Sequence, residues 1–396
     1  MRKDIGQVKI YEIDAGWRNW YYLELIAKNG LRGYSEISES NGPKGSLSSI
    51  TFEILKKLDL SDFTNWNEIK KSIESFNKQG LGGSVSKCSA AIINALIDLN
   101  AKNLDSSVLD IFGGPLRRTA DTYWSHCGTT RIRSIEFLDK STNSLKNEKD
   151  FEKLGCEVTQ SGFNVLKTNL MSLDPLEVVM PSYTSKDLIG INQIDKIIED
   201  TSKILTALSN KGANKIMLDI GYNLTNSSLI TFSSILNSHN LRWLEVDFEH
   251  LDNIQKFKEV FTFPICSGEN YTSYSKYVDL INSGVAETIS IDPAWNSAQD
   301  VLNIAKYANL HNQDITLHNH YSNMNTYIAL TLSRLIDKFS FVEVDVDDVP
   351  WKNELINLPE IKDGKFVMED NHPGWGFNVN FDIIESKLIE TYTLDV

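Results

Sequence analysis

The chain has 396 residues, with 53 acidic against 39 basic side chains and a formal net charge of −14. That balance excludes a nucleic-acid surface, which needs a basic face, but not an anionic small substrate, since a metal and a few local cations reverse the field inside a cleft. With 41% apolar and 23% charged residues, the composition is that of a soluble globular protein, too long for one ordinary core and right for a barrel plus a smaller domain.

Residues 8–13 alternate like a strand, and 20–27 read as its antiparallel partner. Between them 14–19 form a short aromatic connection, expected to be mobile. Residues 31–37 extend the sheet, and 50–58 and 66–76 have helical spacing. The glycine-rich stretch 79–84 superficially looks like a phosphate loop, but no Lys-Ser/Thr follows, so it is not a Walker A motif. It reads as the loop before a helix over 87–102, where Ala91, Ile92, Ala95, Leu96 and Leu99 share one face. Phe112-Gly113-Gly114-Pro115 closes a first domain over 1–120.

A barrel is expected to begin near 120–124. Residues 162–166 lead into Lys167-Thr168-Asn169, a second strand ending in a cation. The 52 residues from Lys167 to Asp219 amount to two repeat units, with Met180-Pro181-Ser182-Tyr183 as an inserted loop. From 215 onward one pattern recurs: a short apolar run, an ionisable side chain, then a helix-like segment. The side chains are Asp219, Glu245, Glu269, Asp292, His318 and Glu343, separated by 26, 24, 23, 26 and 25 residues. A buried parallel strand with its crossover helix occupies about that length. Six matched units predict a (β/α) barrel, which gathers functional side chains at the C-terminal strand ends. Those six residues then converge on one mouth.

Simpler readings compete at several positions. A carboxylate at a strand end can merely cap the next helix, which Asp219 alone could do. Asp247 and Glu249 stand in for Glu245 if the strand register is shifted. His320 could replace His318 as a base, or His318 and His320 could form a zinc pair. Asp345, Asp347 and Asp348 suggest a solvated acidic loop after Glu343, and Lys167 could be a surface lysine. Cys88, Cys127, Cys156 and Cys266 are widely spaced with no C-x-x-C pair, so a reduced, cytoplasmic setting is expected. An apolar signal core and any run of 18 apolar residues are both missing, so no membrane partner is expected.

The helix at 90–102, Phe-Gly-Gly at 112–114, the strand-two lysine and carboxylates on three successive strands come in a telling order. Gly268-Glu269-Asn270, the Asp292/His318 pair, Glu343 and Pro373-Gly374-Trp375-Gly376 continue it. Over nearly its whole length the chain resembles the enolase superfamily, in particular its mandelate racemase-like branch with the acid-sugar dehydratases. The resemblance implies an α/β fold: a (β/α)7β barrel over 121–360 under an N-terminal α+β capping domain, with the tail 361–396 packing back on the cap. It implies metal-assisted removal of the proton alpha to a carboxylate. By position Asp219, Glu245 and Glu269 match three Mg²⁺ ligands, His318 the general base and Asp292 its orienting partner. Lys167 matches a lysine beside the substrate carboxylate, and Glu343 an acid that hydrogen-bonds the developing enolate. Trp17, Arg18 and Trp20 resemble the lid loop, and with Asn169 and Trp375 they are the expected substrate-binding residues. A homo-oligomer is expected on the same ground.

The chemistry fits those residue types. A hard dication with carboxylate ligands stabilises the second negative charge of an enolate, and Mg²⁺ suits oxygen ligands better than zinc does. Imidazole is a base near neutral pH, and an adjacent aspartate fixes its tautomer. The sequence departs from the family pattern at Asn169, where a second lysine would stand, at Gly221, at Glu245-Val246-Asp247 and at Ser297-Ala298. With a base on one face only, a sugar-acid dehydratase yielding a 2-keto-3-deoxy acid is the expected activity. A racemase or epimerase with an unidentified second acid, and a metal-binding member without turnover, are the alternatives.

Overall fold

The computed structural model describes residues 3–38, 43–76, 78, 82–174, 176–178, 191–210, 212, 215–221, 229–248, 250–369 and 372–396. The chain opens with three antiparallel strands, β1 (Ile5–Asp14), β2 (Asn19–Ala27) and β3 (Arg32–Glu36). Helices α1 (Ser46–Leu55), α2 (Trp66–Phe76), α3 (Ser84–Asn103) and the short α4 (Val108–Ile111) follow. Helix α3 starts three residues earlier than its apolar pattern suggests, after a Gly82-Gly83 turn at positive φ. It is buried on nearly every side because it lies between the cap sheet and the barrel. Gly33 of β3 allows this approach: a Cβ there would sit 2.3 Å from the Ala95 carbonyl oxygen. On the other side Asn94 donates to the Pro293 carbonyl (3.0 Å) and accepts from the Ala298 N–H (2.8 Å), joining cap to barrel.

The barrel runs through β4 (Thr119–Ser125), α5 (Thr129–Ser134), α6 (Glu148–Gln160), β5 (Val165–Asn169), β6 (Met171–Leu173), β7 (Leu176–Val178) and α7 (Ile191–Asn210). It continues as β8 (Lys215–Asp219), α8 (Leu229–Leu236), β9 (Leu241–Glu245), α9 (Leu251–Val260), β10 (Ile265–Ser267) and α10 (Tyr274–Ser283). Last come β11 (Thr288–Ile291), α11 (Ala298–Leu310), β12 (Asp314–Leu317), α12 (Asn323–Ser333) and β13 (Phe339–Asp345). Strands β4, β5 and β8 to β13 are parallel neighbours, and β13 closes the ring on β4. The helices carry ordinary end signals: Ser297 caps α11 by accepting from the Asp300 N–H, and Gly284 ends α10 in the left-handed region.

Three expectations need correction. Strand β5 pairs directly with β8 from Val165↔Lys215 to Asn169↔Asp219, so the 52-residue interval is one enlarged unit, carrying the β6–β7 hairpin and the long α7, and not two. The loop reading at 180–183 lies outside the described residues, as does part of 79–84. The 14–19 connection is fastened, not loose: the Trp351 indole donates to the Asp14 carbonyl (2.7 Å), and Gly16, at φ 76°, lies so close that a Cβ would be 2.7 Å from the Phe137 ring.

After α13 (Trp351–Leu355), the hairpin β14 (Ile361–Lys362) and β15 (Lys365–Val367) pairs with β4. Helix α14 (Phe381–Lys387) and β16 (Leu388–Asp395) then return to the cap, where β16 pairs antiparallel with β1. None of the four cysteines is in a disulfide. Among the described residues no helix is long and apolar enough to cross a membrane.

Candidate active site

Tyr123, Val165, Met217, Trp243 and Cys266 form a separate apolar layer inside the barrel, with Phe341 packed on it. The Tyr123, Trp243 and Phe341 rings meet edge to face at 5.8–6.1 Å, an arrangement that aromatic quadrupoles favour. Side chains on a strand repeat their direction every two residues. The next inward positions above this plug are therefore Ser125, Lys167, Asp219, Glu245 and Glu343, all polar. One step higher come Asn169, Asp247 and Asp345. The same pleat that seals the floor thus stacks charged groups at the C-terminal mouth.

Lys167 is fully buried, its Nζ 3.0 Å from both Glu245 Oε2 and Glu343 Oε1. Burial pushes its pKa down, but those two carboxylates outweigh it and hold the ammonium well above its ordinary value. The surface-lysine reading is excluded. Glu343 lies within β13, two residues short of the strand's end. It accepts from the Ser125 hydroxyl and, at 3.1 Å, from the Asn319 N–H. Burial alone would raise its pKa, yet Lys167, His318 and His126 keep it below the usual carboxylate range. In this arrangement both Glu343 oxygens accept hydrogen bonds.

His318 follows β12 and is buried. Its Nδ1 lies 2.8 Å from Asp292 Oδ2, and its Nε2 lies 3.4 Å from Glu269 Oε2 and 3.9 Å from Glu343 Oε2. Asp292 is itself fixed by the Ala294 N–H (2.7 Å) and the Tyr321 hydroxyl (3.1 Å). Burial lowers the His318 pKa, but Glu269, Glu343 and Asp292 together push it up to about 10. His320 belongs to a different cluster, stacked on His126 at 3.7 Å with its Nδ1 3.1 Å from Asp345 Oδ2. Burial, then Arg18 and Arg133, hold His320 well below the ordinary imidazole value; burial, then His320, does the same for His126. The zinc-pair reading of His318 and His320 is not supported, because their ring nitrogens face different groups. The solvated-loop reading fails too: Asp345, Asp347 and Asp348 are buried, with Thr130, Arg131 and Arg18 as partners.

Four acids gather beside His318, Glu245 and Asp247 buried and Asp219 and Glu269 half-buried. Ligand oxygens of Glu245, Asp247 and Glu269 lie within 4.8 Å of one another. Asp219 is paired with Glu245 across the β8–β9 ladder but is not in that set. Its Oδ1 accepts from the Gly221 N–H (2.8 Å) and its Oδ2 from the Asn169 amide (2.9 Å). Burial first, and the neighbouring carboxylates next, push Asp219 up to about 6 and Asp247 up to about 8. Glu269 rises well above its ordinary value for the same leading reason, His318 opposing. Glu245 Oε1 and Asp247 Oδ2 are buried with no hydrogen-bond partner among the described residues. Crowded, desolvated carboxylates with orphaned oxygens are costly alone and suit a hard dication such as Mg²⁺.

The expected substrate-binding residues divide. Trp17 is half-buried at the mouth, 5.7 Å from the His320 ring. Arg18 is buried, donating to the His320 carbonyl and to Asp348, so it ties the lid loop to the barrel. Asn169 bridges Asp219 and the Thr129 hydroxyl. Trp20 and Trp375 are corrections. Trp20 is fully buried in the apolar core, and Trp375 is locked behind α3, its backbone N–H on Asp98 (2.9 Å) and its indole on the Asn94 carbonyl. His126 is the residue the sequence reading misses. It directly follows β4, sits at φ 45°, and its Nδ1 is 2.7 Å from the Ser125 hydroxyl and 3.5 Å from Glu343 Oε1. A non-glycine residue in that region marks backbone strain held by its surroundings.

An eightfold parallel barrel under an α+β cap, with an acid-ringed mouth facing a histidine–aspartate pair, defines the class. Residues 152–383, more than half of the chain, match the family model described as enolase C-terminal domain-like. The chain belongs to that family, within the enolase superfamily. It is 20% identical over 410 aligned positions to D-gluconate dehydratase of Thermoproteus tenax, covering 100% of this chain and 75% of that protein. A protein provisionally named L-alanine-DL-glutamate epimerase, from Burkholderia xenovorans strain LB400 and bound to magnesium and fumarate, superposes with a TM-score of 0.91 at 24% identity, over 97% and 96% of the two chains. A provisionally named dehydratase from Mesorhizobium loti superposes at 0.82 and 19% identity, over 98% and 99%. At these identities the structural likeness is one of fold. Membership supports an enzyme acting on small carboxylates.

Proposed function

We propose that the protein is a Mg²⁺-dependent dehydratase of a sugar acid. The observation that carries this reading is the His318–Asp292 pair. Asp292 holds Nδ1 at 2.8 Å, which directs Nε2 into the pocket beside Glu269. Glu245 and Glu269, with Asp219 or Asp247, would hold the ion. When bound, it supplies Lewis-acid stabilisation of the charge that builds on the substrate carboxylate and offsets the carboxylate field that raises His318.

His318 Nε2 then takes the proton alpha to the carboxylate, and the same nitrogen returns it to the β-hydroxyl. The C–O bond breaks, water leaves, and the enol product takes a solvent proton to become a 2-keto-3-deoxy acid. One base suffices, in keeping with strand two: Lys167 is locked between two carboxylates and Asn169 cannot carry a proton. The whole-length similarity to a gluconate dehydratase supports the same reading.

One observation favours an epimerase instead. His126 approaches Glu343 Oε1 while His318 approaches Oε2, so two imidazoles flank the pocket. Incubating the protein with Mg²⁺ and a panel of sugar acids in D₂O separates the readings by NMR. A keto-deoxy product supports the dehydratase. A C2 epimer carrying deuterium supports the epimerase, and metal binding with neither product leaves a member without turnover.

A further inference from the structure

We propose that Glu36, at the end of cap strand β3, is a positioning residue for His318. This rests on the reading of His318 as the base and concerns what holds the loop that carries it. Glu36 is 1% exposed, and four donors converge on its carboxylate. The Ser38 hydroxyl (2.6 Å) and the Ser322 N–H (3.1 Å) reach Oε1, while the Ser322 hydroxyl (2.6 Å) and the Asn325 N–H (3.2 Å) reach Oε2. Burial pushes its pKa up, and the same four hydrogen bonds oppose the rise. Three of the four come from the barrel, so the carboxylate is a joint between the two domains.

The barrel side of this joint is the start of α12. Ser322 is the N-cap of that helix, its hydroxyl accepting from the Met324 N–H at 3.1 Å, and Asn325 is the third helical residue. In a capping box the third residue's own side chain accepts the N-cap N–H. Here Glu36 takes that place from the other domain and accepts the Asn325 N–H as well. It does so at the end of the helix where the macrodipole favours an anion. The Asn325 side chain donates instead to Asn319 Oδ1 at 3.0 Å, which ties the helix back to the residue after His318.

The loop from His318 to Ser322 is where the site is assembled. The Asn319 N–H donates to Glu343 Oε2 (3.1 Å), and the Tyr321 hydroxyl donates to Asp292 Oδ2 (3.1 Å), the oxygen that faces His318 Nδ1. The Tyr321 and His318 rings meet edge to face at 6.0 Å. The loop leaves β12 at Leu317 and is fastened again at Ser322, so Glu36 sets its far end. From the same cap segment the Ser38 carbonyl accepts from the Trp295 indole (3.4 Å), and the Trp295 ring lies 6.1 Å from that of His318. Glu36 and Ser38 thus act on the base through Tyr321 and Trp295, without touching it.

The test follows solvent exchange of the His318 Nδ1 proton by NMR in the ¹⁵N-labelled full chain, without metal or substrate, the signal being assigned with His318→Asn. Glu36→Gln is expected to speed that exchange by at least about tenfold, because its NH₂ would face two of the four donors. Glu24→Gln is the control. Glu24 is a fully buried cap carboxylate held by Tyr11, Tyr34 and Arg32, none of them in the loop. Its substitution is expected to lower the melting temperature and leave the exchange unaltered. Unaltered exchange in a folded Glu36→Gln protein, or an equal rise in Glu24→Gln, overturns the assignment. Should Glu36→Gln fail to fold, Ser322→Ala, which removes the hydroxyl on Glu36 Oε2, is expected to speed the exchange in the same direction, and no change overturns it. The readout needs no substrate, so a protein inactive toward every sugar acid would refute the dehydratase reading while this exchange still decides the role of Glu36.

Discussion

Asp292→Asn tests what keeps His318 able to accept a proton. Three donors converge on the Asp292 carboxylate: His318 Nδ1 and the Tyr321 hydroxyl on Oδ2, and the Ala294 N–H on Oδ1. Asparagine offers one acceptor oxygen. With that oxygen kept by the Ala294 N–H, its NH₂ faces Nδ1 and drives the imidazole proton onto Nε2, the atom that must stay bare. The general-base contribution then lost is about 10²–10⁴ in rate, or about 3–5 kcal/mol of barrier. Leaving the Tyr321 hydroxyl opposite a donor costs about 1–3 kcal/mol of stability, which calorimetry measures separately. The assay is turnover of the sugar acid found in the panel, together with C2–H exchange in D₂O. A folded Asp292→Asn protein with undiminished exchange would refute the dyad.

Other consequences follow from the same geometry. Lys167→Met leaves Glu245 and Glu343 buried without their shared cation, so urea unfolding is expected to show a loss of about 3–5 kcal/mol; an unchanged midpoint contradicts the pairing. In the metal-free protein the folded His318 pKa of about 10 exceeds its ordinary 6.5. Its stabilisation is therefore complete below pH 6.5 and fades as pH rises through about 10. An imidazole NMR titration is expected to show this high value and its fall on adding Mg²⁺, and a metal-free value at or below 6.5 contradicts it. Trp20→Ala is expected to cost about 3–5 kcal/mol as a core truncation with KM unaltered, whereas a raised KM without lost stability restores Trp20 to the pocket. Gly374→Ala places a Cβ 2.1 Å from Asp98 Oδ1, at φ 73°, and is expected to lower the melting temperature by breaking the Asp98 bond to the tail; an unchanged melt contradicts that coupling.

Much of the barrel is legible in the sequence because its units are local. Each apolar run, about five residues long, is a buried strand, and the ionisable residue at its end is where the pleat leaves the apolar plug. Legibility fails where meaning depends on distant neighbours. Trp17 and Trp20 look alike in sequence, but the β1–β2 register, pairing Ile13 with Trp20, turns one to the core and leaves the other at the mouth. Length alone cannot tell the interval between Lys167 and Asp219 from two short units, since a hairpin and a long helix occupy the same span. Nothing beside Glu343 in the sequence shows that Lys167, Ser125 and the Asn319 N–H arrive from three other segments to engage its oxygens. His126 is visible as a strand-end residue by the same rule that finds His318, yet it lies before the regular ladder begins. Asp247 shares a face with Glu245 by period two, but its orphaned oxygen belongs to the folded chain alone.

The central claim is that His318 removes a proton alpha to a carboxylate at this mouth. Its most direct test is exchange of the C2 hydrogen of the sugar-acid substrate in D₂O with Mg²⁺, for the unsubstituted protein and for His318→Asn. Release of the C2 proton by the first, in exchange or in product, and its loss in a folded His318→Asn protein, is the predicted result. Equal release by both would contradict the account.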